Sequence, residues 1–369
     1  MAEQIMDRRL SRRRLLVIGG ATAAGGILAA CAPAAPAVPS ATAAATAAPA
    51  TVAAATPAPT PKGQLAKRTA VTHGINFFAQ TSQGGFWAAL KDKEYDKLNI
   101  DVTMKQGSPQ ISPVTMVASG QHDFNQQTMD TILLSRAQGI PLVALFAPFS
   151  DTPLGVMYFT ANPLKDFSDL KGRTAYLGFT SNWYRYIVKK FDLDGKFEVR
   201  NFTGTIQPFL ADSTKKFVTQ CFISSEPIVA KKQGFDVGYL RVADSGYNPY
   251  TNLLFTSEQM IKDKPDVVQA VVTAGLKGWF SFISKPTDYI PFLKEQNPDY
   301  DVDLATEGQK VEATLYTGKT FDKAKFGQIT MERVKTIHDQ MREVGVLEKD
   351  QDVTKAFAPQ FLEKAFSQI

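Results

Sequence analysis

From about residue 69 onward, the 369-residue chain alternates between short apolar runs and longer segments in which apolar residues recur every three or four positions. Short runs of this kind predict strands, and the longer period predicts amphipathic helices. The predicted strands are "AVTHGINFF", "IDVTMKQG", "HDFNQQ" and "IPLVALFAPF", and then "RTAYLGF", "FEVRNF", "FVTQCFI" and "DVGYLRVAD". Helices are predicted between them, and from "LLFTSEQMIKD" onward the pattern is mostly helical. Alternating strands and helices indicate an α/β fold with a doubly wound sheet.

This alternation occurs twice, before and after a polar segment that begins near "NPLKDFSDLKG". Two α/β units with a helical tail predict two lobes and a cleft, in which ligands bind at the carboxyl ends of strands. We expect lobe 1 to comprise residues 67–157 and 247–369, and lobe 2 to comprise residues 158–246.

The first sixty residues do not follow this pattern. Five arginines between residues 8 and 14 precede "LLVIGGATAAGGILAA", an apolar run of 16 residues that is short for a membrane span. The run ends in "LAAC", which resembles a bacterial lipobox, so we expect a signal peptide over residues 1–30 and lipidation of Cys31. "SRRRLL" also resembles a twin-arginine signal, which leaves the export route open. Residues 31–66, rich in Ala, Pro and Thr, are expected to form a spacer to the membrane.

Charge and cysteine content exclude several kinds of function. The formal net charge is +5, but 36 basic and 34 acidic residues remain once the leader is removed. This balance gives no argument for nucleic-acid binding. With Cys31 lipidated, Cys221 is the remaining cysteine, so neither an internal disulfide nor a cysteine metal site is expected.

Sequence motifs of common enzymes are also missing. The chain has no G-x-S-x-G, Walker A, G-x-G-x-x-G, H-E-x-x-H or C-x-x-C motif. His73, His122 and His338 lack the spacing of a metal site, and core or solvent roles are expected for His73 and His338. The sequence therefore favours a binding protein without a metal over an enzyme.

Four segments occur in an order that is typical of one family: "INFFAQTSQGGFWAAL", "FNQQTMDTILLSRAQGIPLVAL", "DFSDLKGRTAYLG" and the stretch from Ser224 to Trp279. Together they resemble bacterial ABC-importer solute-binding lipoproteins of the thiamine-pyrimidine-synthase-like and alkanesulfonate-binding superfamily, and they look most like its riboflavin-binding lipoproteins. The resemblance implies a periplasmic-binding-protein type II fold whose two lobes close around a ligand, with an ABC permease and ATPase as partners. Gln83 stands where the family has a His, and the cysteines of the synthase enzymes are missing, which argues against their chemistry.

The candidate site residues lie at predicted turns and strand ends near the lobe junction. Neutral amides and hydroxyls suit a ligand with imide or carbonyl edges, and aromatic rings suit a flat one. We expect Trp183 or Tyr184 to form one wall of a slot, with core packing as the alternative for both rings. Glu226 caps a helix or accepts from ligand N–H or O–H groups. The candidate ligand-binding residues are Phe78, Gln80, Thr81, Asn125, Thr128, Thr180, Asn182, Trp183, Tyr184, Glu226, Tyr247 and Asn248.

A neutral wall of this kind disfavours nitrate or sulfonate, which require positive charge or bare backbone N–H groups. Of the flat ligands that the resemblance implies, riboflavin is preferred on the resemblance to the riboflavin-binding lipoproteins, and the polar residues also suit its polyol tail. An aminopyrimidine precursor of thiamine is the alternative, and an alkanesulfonate is a third. We expect a monomer that needs no cofactor, carries riboflavin as a transported ligand, and is lipid-anchored on the extracytoplasmic side of the cell membrane.

Overall fold

The structure is a computed structural model that describes residues 61–178, 181–318 and 320–369. The expected signal peptide, the lipidation site Cys31, the spacer as far as residue 60 and the candidate ligand residue Thr180 lie outside these ranges. All the described residues belong to one structural unit.

Strands and helices alternate in two stretches of the described residues, 69–146 and 174–241, and helices follow residue 257. The strands are β1 (Thr69–Ile75), β2 (Ile100–Gln106), β3 (Asn125–Gln127), β4 (Leu142–Phe146), β5 (Leu154–Phe159), β6 (Thr174–Leu177), β7 (Glu198–Asn201), β8 (Val218–Phe222), β9 (Val237–Arg241) and β10 (Leu253–Ser257). The helices are α1 (Gly84–Lys91), α2 (Glu94–Lys97), α3 (Pro113–Ala118), α4 (Met129–Ala137), α5 (Asn182–Lys190), α6 (Gln207–Leu210), α7 (Glu226–Lys232), α8 (Glu258–Asp263), α9 (Pro265–Ser284), α10 (Ile290–Gln296), α11 (Val302–Ala313), α12 (Met331–Glu343) and α13 (Gln360–Phe366).

The first sheet is built from β1 to β4 together with β10. β1 and β2 are parallel, and β10 lies antiparallel between β3 and β4. A bridge from His73 to Phe124 joins β1 to the start of β3, and the amide of Gly74 donates to the carbonyl oxygen of Phe124 at 2.8 Å. This bridge places the two ladders, β1-β2 and β3-β10-β4, side by side in the order β2-β1-β3-β10-β4.

The second sheet holds the five strands between, in the order β7-β6-β8-β5-β9. β6 is parallel to β7 and β8, whereas β5 is antiparallel to β8 and β9. The expected lobe boundary between residues 157 and 158 falls inside β5, and all of β5 from Leu154 onward lies in this second sheet.

Two crossing segments connect the sheets: residues 147–153 lead from β4 to β5, and residues 242–252 lead from β9 to β10. An antiparallel bridge pairs the two segments. Arg333 of α12 holds both, because its guanidinium donates to the carbonyl oxygens of Ser150 and Asn248. Two paired crossings between two rigid sheets have the geometry of a hinge.

The core of the first lobe is centred on α9. This helix packs so closely on α1 that a Cβ added at Gly278 would lie 2.2 Å from the carbonyl oxygen of Gly85. Trp279 is fully buried beside Phe86 and Phe149. α9 is long and apolar enough to cross a membrane, but most of it is buried inside the protein, as is usual for a core helix.

The structure departs from the sequence pattern in three places. A mostly helical pattern is predicted from residue 253, yet Leu253–Ser257 is strand β10, whose first three residues are fully buried in the middle of a sheet. Burial on both faces removes the polar alternation by which a strand is recognised. β5 is missed for the same reason. The helix predicted from Gly84 to Leu98 is interrupted at Lys93, which has a φ of 58°, and forms α1 and α2.

Candidate functional site

A cleft between the two sheets is lined by residues from both lobes. Its first cavity has a volume of about 360 Å³, and a second cavity of about 520 Å³ shares Asn76 and Leu154 with it. Cavities of this size hold small organic ligands. The first cavity is lined by Asn76, Phe77, Gln80, Gln83, Leu154, Phe202, residues 204–207, Gln220, Cys221, Phe222, Ser225, Glu226, Val229 and Asn252. The second adds residues 108–114, 127–128, 130–131 and 181–183.

The lining residues stand at the carboxyl ends of strands. Asn76 follows β1, Thr128 follows β3, Ser181 lies beyond β6, Phe202 follows β7 and Glu226 lies beyond β8. In open α/β sheets the loops that follow the strands converge at this edge, where ligands bind. The cleft therefore lies at the carboxyl ends of the strands, as the sequence pattern predicts.

A chain of three side-chain amides runs along the lobe 1 wall of the first cavity. Gln83 Nε2 donates to Asn76 Oδ1 at 3.0 Å, and Asn76 Nδ2 donates to Asn252 Oδ1 at 2.8 Å. Asn252 Nδ2 then donates to the carbonyl oxygen of Ser82 at 3.1 Å. Gln83 is 1% exposed, and its Oε1 has no hydrogen-bond partner among the described residues.

An amide from lobe 2 lines the same cavity. Gln220, in β8, accepts a hydrogen bond from the backbone N–H of Gly178 through Oε1 at 2.6 Å. Because a backbone N–H can only donate, this contact fixes which end of the Gln220 amide is the oxygen. The NH₂ group of Gln220 therefore points away from Gly178.

Glu226 brings a carboxyl group to the cavity at the first position of α7. Its Oε2 accepts from the backbone N–H of Phe222 at 2.7 Å. Burial raises the pKa of Glu226 to about 7, although the hydrogen bond from Phe222 works in the opposite direction. At neutral pH this carboxyl group can therefore either donate to a ligand or accept from it.

The aromatic side chains of the first cavity are Phe77, Phe202 and Phe222. The sequence points to Phe78, but this ring is 45% exposed and packs edge-on against Phe77, with 5.1 Å between ring centroids. Neighbouring side chains at the end of a strand point in opposite directions, so only one of two adjacent rings can line the cavity.

Helix α5 contributes Asn182 and Trp183 to the second cavity. Asn182 is 4% exposed, and its Oδ1 has no partner among the described residues. Trp183 is also 4% exposed; it packs in the hydrophobic core and borders the second cavity. Tyr184 is half-buried against the same core and does not line either cavity.

Thr128 lines the second cavity next to Asp130, a buried carboxylate. The Asp130 carboxylate accepts from the hydroxyls of Thr128 and Tyr247, and burial raises its pKa. Tyr247, another predicted site residue, is fully buried and stacks on Tyr186 at 4.6 Å. Its hydroxyl donates to Asp130, and the residue itself lies outside the two cavities.

Of the other predicted residues, Gln80 lines the first cavity, and three stand away from the cleft. Thr81 is buried, and its backbone N–H and its hydroxyl both pair with the hydroxyl of Tyr300 at 3.0 Å. Asn125 is buried and bonds to the ring of His122 at 2.9 Å. Asn248 ties the two crossing segments together through the backbone N–H of Thr152 and the carboxylate of Asp151.

Several lining residues were not predicted from the sequence. Phe202 ends the predicted strand "FEVRNF", so the rule that ligands bind at strand ends could have identified it. Gln220 lies inside β8 and not at a strand end, so the same rule does not identify it. Asn252 carries no local signal, because its position depends on how the second crossing segment returns.

Two of the histidines lie in the core. His73 is fully buried, and burial lowers its pKa to about 3. His338 is 5% exposed in α12. Within residues 61–178, 181–318 and 320–369, no group of three His, Cys, Asp or Glu residues is placed to hold a metal ion.

Comparison with known proteins gives relatives along most of the chain. The riboflavin-binding protein RibY of Chloroflexus aurantiacus is 24% identical over 349 residues, which cover 91% of this chain and 94% of RibY. The formylaminopyrimidine-binding protein of Halalkalibacterium halodurans is 21% identical over 239 residues, covering 63% of this chain and 72% of that protein.

A solved structure and a family match agree on the fold. The alkanesulfonate-binding protein SsuA from Xanthomonas axonopodis pv. citri, bound to MOPS, superposes with a TM-score of 0.61 at 12% identity, covering 80% of this chain and all of SsuA. The family described as NMT1/THI5 like matches residues 80–289, more than half of the chain. The chain therefore belongs to the NMT1/THI5-like family, and it has the two-lobed periplasmic-binding-protein fold of the solute-binding proteins of ABC importers.

Proposed function

We propose that this protein is the riboflavin-binding component of an ABC importer, which captures the vitamin outside the cytoplasm and delivers it to a permease and ATPase. The observation that carries the proposal is the chemistry of the cleft wall. Among its described lining residues there is no Lys, Arg or His, whereas amides and aromatic rings are frequent. An anionic sulfonate or nitrate would be bound there without a cation, at a high desolvation cost.

The dimensions of the cleft support a ligand longer than one ring. The first cavity offers Phe77 and Phe202 for stacking and the amides of Gln83 and Gln220 for ring heteroatoms. The second cavity continues it past Thr128 and Asn182, which suit the hydroxyls of a polyol chain. RibY, which is named for binding riboflavin, aligns with nearly the whole chain.

An aminopyrimidine is the second candidate, and Glu226 favours it. A carboxyl group whose pKa lies near neutrality can donate to a ring nitrogen and accept from the adjacent amino group. The relative named for binding formylaminopyrimidine gives this alternative a precedent within the family. A single ring would fill only the first cavity.

Titration of the purified protein with riboflavin tests the proposal. Stacking on aromatic rings should quench the fluorescence of the flavin, with a dissociation constant below about 1 μM. Formylaminopyrimidine, titrated in parallel by calorimetry, should give little heat. Unquenched riboflavin together with strong heat from the pyrimidine would reject the first candidate in favour of the second.

In the cell, we propose that the protein is a monomer, not an enzyme, and that lipidation at Cys31 anchors it to the extracytoplasmic face of the membrane. The leader sequence and its "LAAC" run support this placement. Riboflavin is then cargo, and no cofactor is required.

A further inference from the structure

The side-chain oxygen of Gln83 is an unsatisfied acceptor deep in the first cavity. The residue is 1% exposed and lines the cavity, and its Oε1 has no partner among the described residues. An unpaired buried acceptor destabilises the empty protein, and such groups are usually satisfied by a ligand or a water molecule.

The orientation of this amide follows from the chain of hydrogen bonds behind it. The carbonyl oxygen of Ser82 can only accept, so Asn252 must direct its NH₂ group there and its Oδ1 towards Asn76. By the same argument Asn76 donates to Asn252 and accepts from Gln83 Nε2. The Oε1 atom of Gln83 is therefore the end of the amide that no described residue satisfies, and a ligand must place a hydrogen-bond donor opposite it.

Gln220 of lobe 2 offers a hydrogen-bond donor, whereas Gln83 of lobe 1 offers an acceptor. Its Oε1 is occupied by the backbone N–H of Gly178 at 2.6 Å, so the NH₂ group is the end that remains for a ligand. The two amides thus present one acceptor from lobe 1 and one donor from lobe 2 to the same cavity.

We propose that Gln83 determines specificity by accepting a hydrogen bond from a ring N–H of the ligand, while Gln220 donates to a neighbouring ring carbonyl. This inference rests on the proposed function and deepens it, because the isoalloxazine ring of riboflavin carries an imide N–H flanked by two carbonyl groups. The class of ligand selected is a flat ring with an imide edge. A ring whose imide nitrogen is alkylated leaves the Gln83 oxygen buried and unpaired.

The first test compares riboflavin with its N3-methyl derivative on the wild-type protein. Because the methylated ring cannot donate to Gln83, we expect its dissociation constant to be at least about 10-fold higher. This comparison needs no substitution, so it does not depend on whether a variant folds. Equal affinities would overturn the inference while leaving riboflavin binding, and the proposed function, intact. Absence of riboflavin binding would overturn both.

A Gln83→Met variant separates hydrogen bonding from steric exclusion of the methyl group. Met has nearly the length of Gln, but its thioether sulfur is only a weak acceptor, so a steric penalty would persist while most of a hydrogen-bond penalty would disappear. We expect Gln83→Met to bind riboflavin more weakly and to lose the preference over the methylated ring. Gln80→Met is the matched control, because Gln80 lines the same cavity but is partly exposed; it should keep the preference. Undiminished preference in Gln83→Met would overturn the proposed role of Gln83.

Discussion

At the scale of single residues, Trp183 and Phe202 show how differently two aromatic side chains can relate to one cleft. Trp183 is 4% exposed and packs in the hydrophobic core, where it also borders the second cavity. Phe202 is half-buried in a loop and borders the first cavity. Truncating the first removes mainly core packing, whereas truncating the second removes mainly part of the cavity wall.

This difference can be measured with two alanine variants. Trp183→Ala should lower the free energy of unfolding by about 3–5 kcal/mol, as is usual when a large buried ring is removed. Phe202→Ala should cost much less stability but weaken riboflavin binding about 10-fold, because one stacking face is lost. Denaturant unfolding and fluorescence quenching of both variants provide the measurements. If Trp183→Ala kept its stability and lost affinity, the indole would be a wall of the ligand site.

At the scale of elements, much of the fold could be predicted from the sequence because strand and helix patterns are local. The alternation is present from β1 to β4 and again from β6 to β9, and Gly139, predicted to end a helix, has a φ of 84° just after α4. β5 and β10 could not be predicted, since their residues are buried by neighbours that are distant in sequence.

The sequence predicted the elements that line the cleft but only some of the side chains that enter it: Gln80, Thr128, Asn182, Trp183 and Glu226 line the cavities, as expected. Residues 181–183 at the start of α5 and Glu226 at the start of α7 do line the cleft, as their polar residues suggest. Which side chain enters the cleft depends on the direction of each Cβ and on the path of the crossing segments. Neither is encoded locally, so the sequence did not identify Asn252, and it did not show that Tyr247 and Asn248 lie outside the two cavities.

The contact between α1 and α9 gives a prediction at this scale. A Cβ at Gly278 would lie 2.2 Å from the carbonyl oxygen of Gly85 and 2.5 Å from the backbone N of Ala89, so the helices would have to separate. Ala favours a helix by about 1 kcal/mol relative to Gly, but this gain is smaller than the cost of repacking. Gly278→Ala should therefore be strongly destabilised in thermal unfolding.

Gly275, one turn earlier in α9, is the matched control. A Cβ there would meet the ring of Phe86 at 3.1 Å, and a side chain can shift where a backbone cannot. Gly275→Ala should consequently have a melting temperature much nearer to that of the wild type. Equal losses in the two variants would mean that backbone contact between α1 and α9 is not what requires glycine at residue 278.

At the scale of the whole molecule, the helices after β10 also contact the second lobe. Glu312 of α11 is 2% exposed, and its Oε1 accepts from the hydroxyl of Ser224, beyond β8, at 3.1 Å. Lys232 of α7 reaches the carboxylate of Asp301 at 3.2 Å. The contact between Glu312 and Ser224 is buried, and that between Lys232 and Asp301 is exposed. The buried contact therefore contributes more to holding the lobes in their relative position.

Burial raises the pKa of Glu312 to about 8 from an ordinary value of 4.5, while hydrogen bonds from Ser224 and Thr81 oppose the shift. The group is therefore protonated in the folded protein at neutral pH. Between about pH 4.5 and 8 the folded state holds a proton that the unfolded state has released. The stability that this protonation contributes is complete below about pH 4.5 and is lost as the pH rises through 8.

Substitution of Glu312 by Gln should remove this dependence, because Gln stays neutral and keeps an oxygen for Ser224. We expect the melting temperature of the wild type to fall relative to that of Glu312→Gln as the pH is raised from 5 to 8, and the two curves to run parallel above pH 8. Other groups that titrate in this range, Glu226 among them, are present in both proteins and cancel in the difference. Glu363→Gln, at an exposed position in α13, serves as the control and should follow the wild-type curve. Parallel curves for wild type and Glu312→Gln throughout the range would show that the contact between α11 and Ser224 does not depend on a protonated carboxyl group.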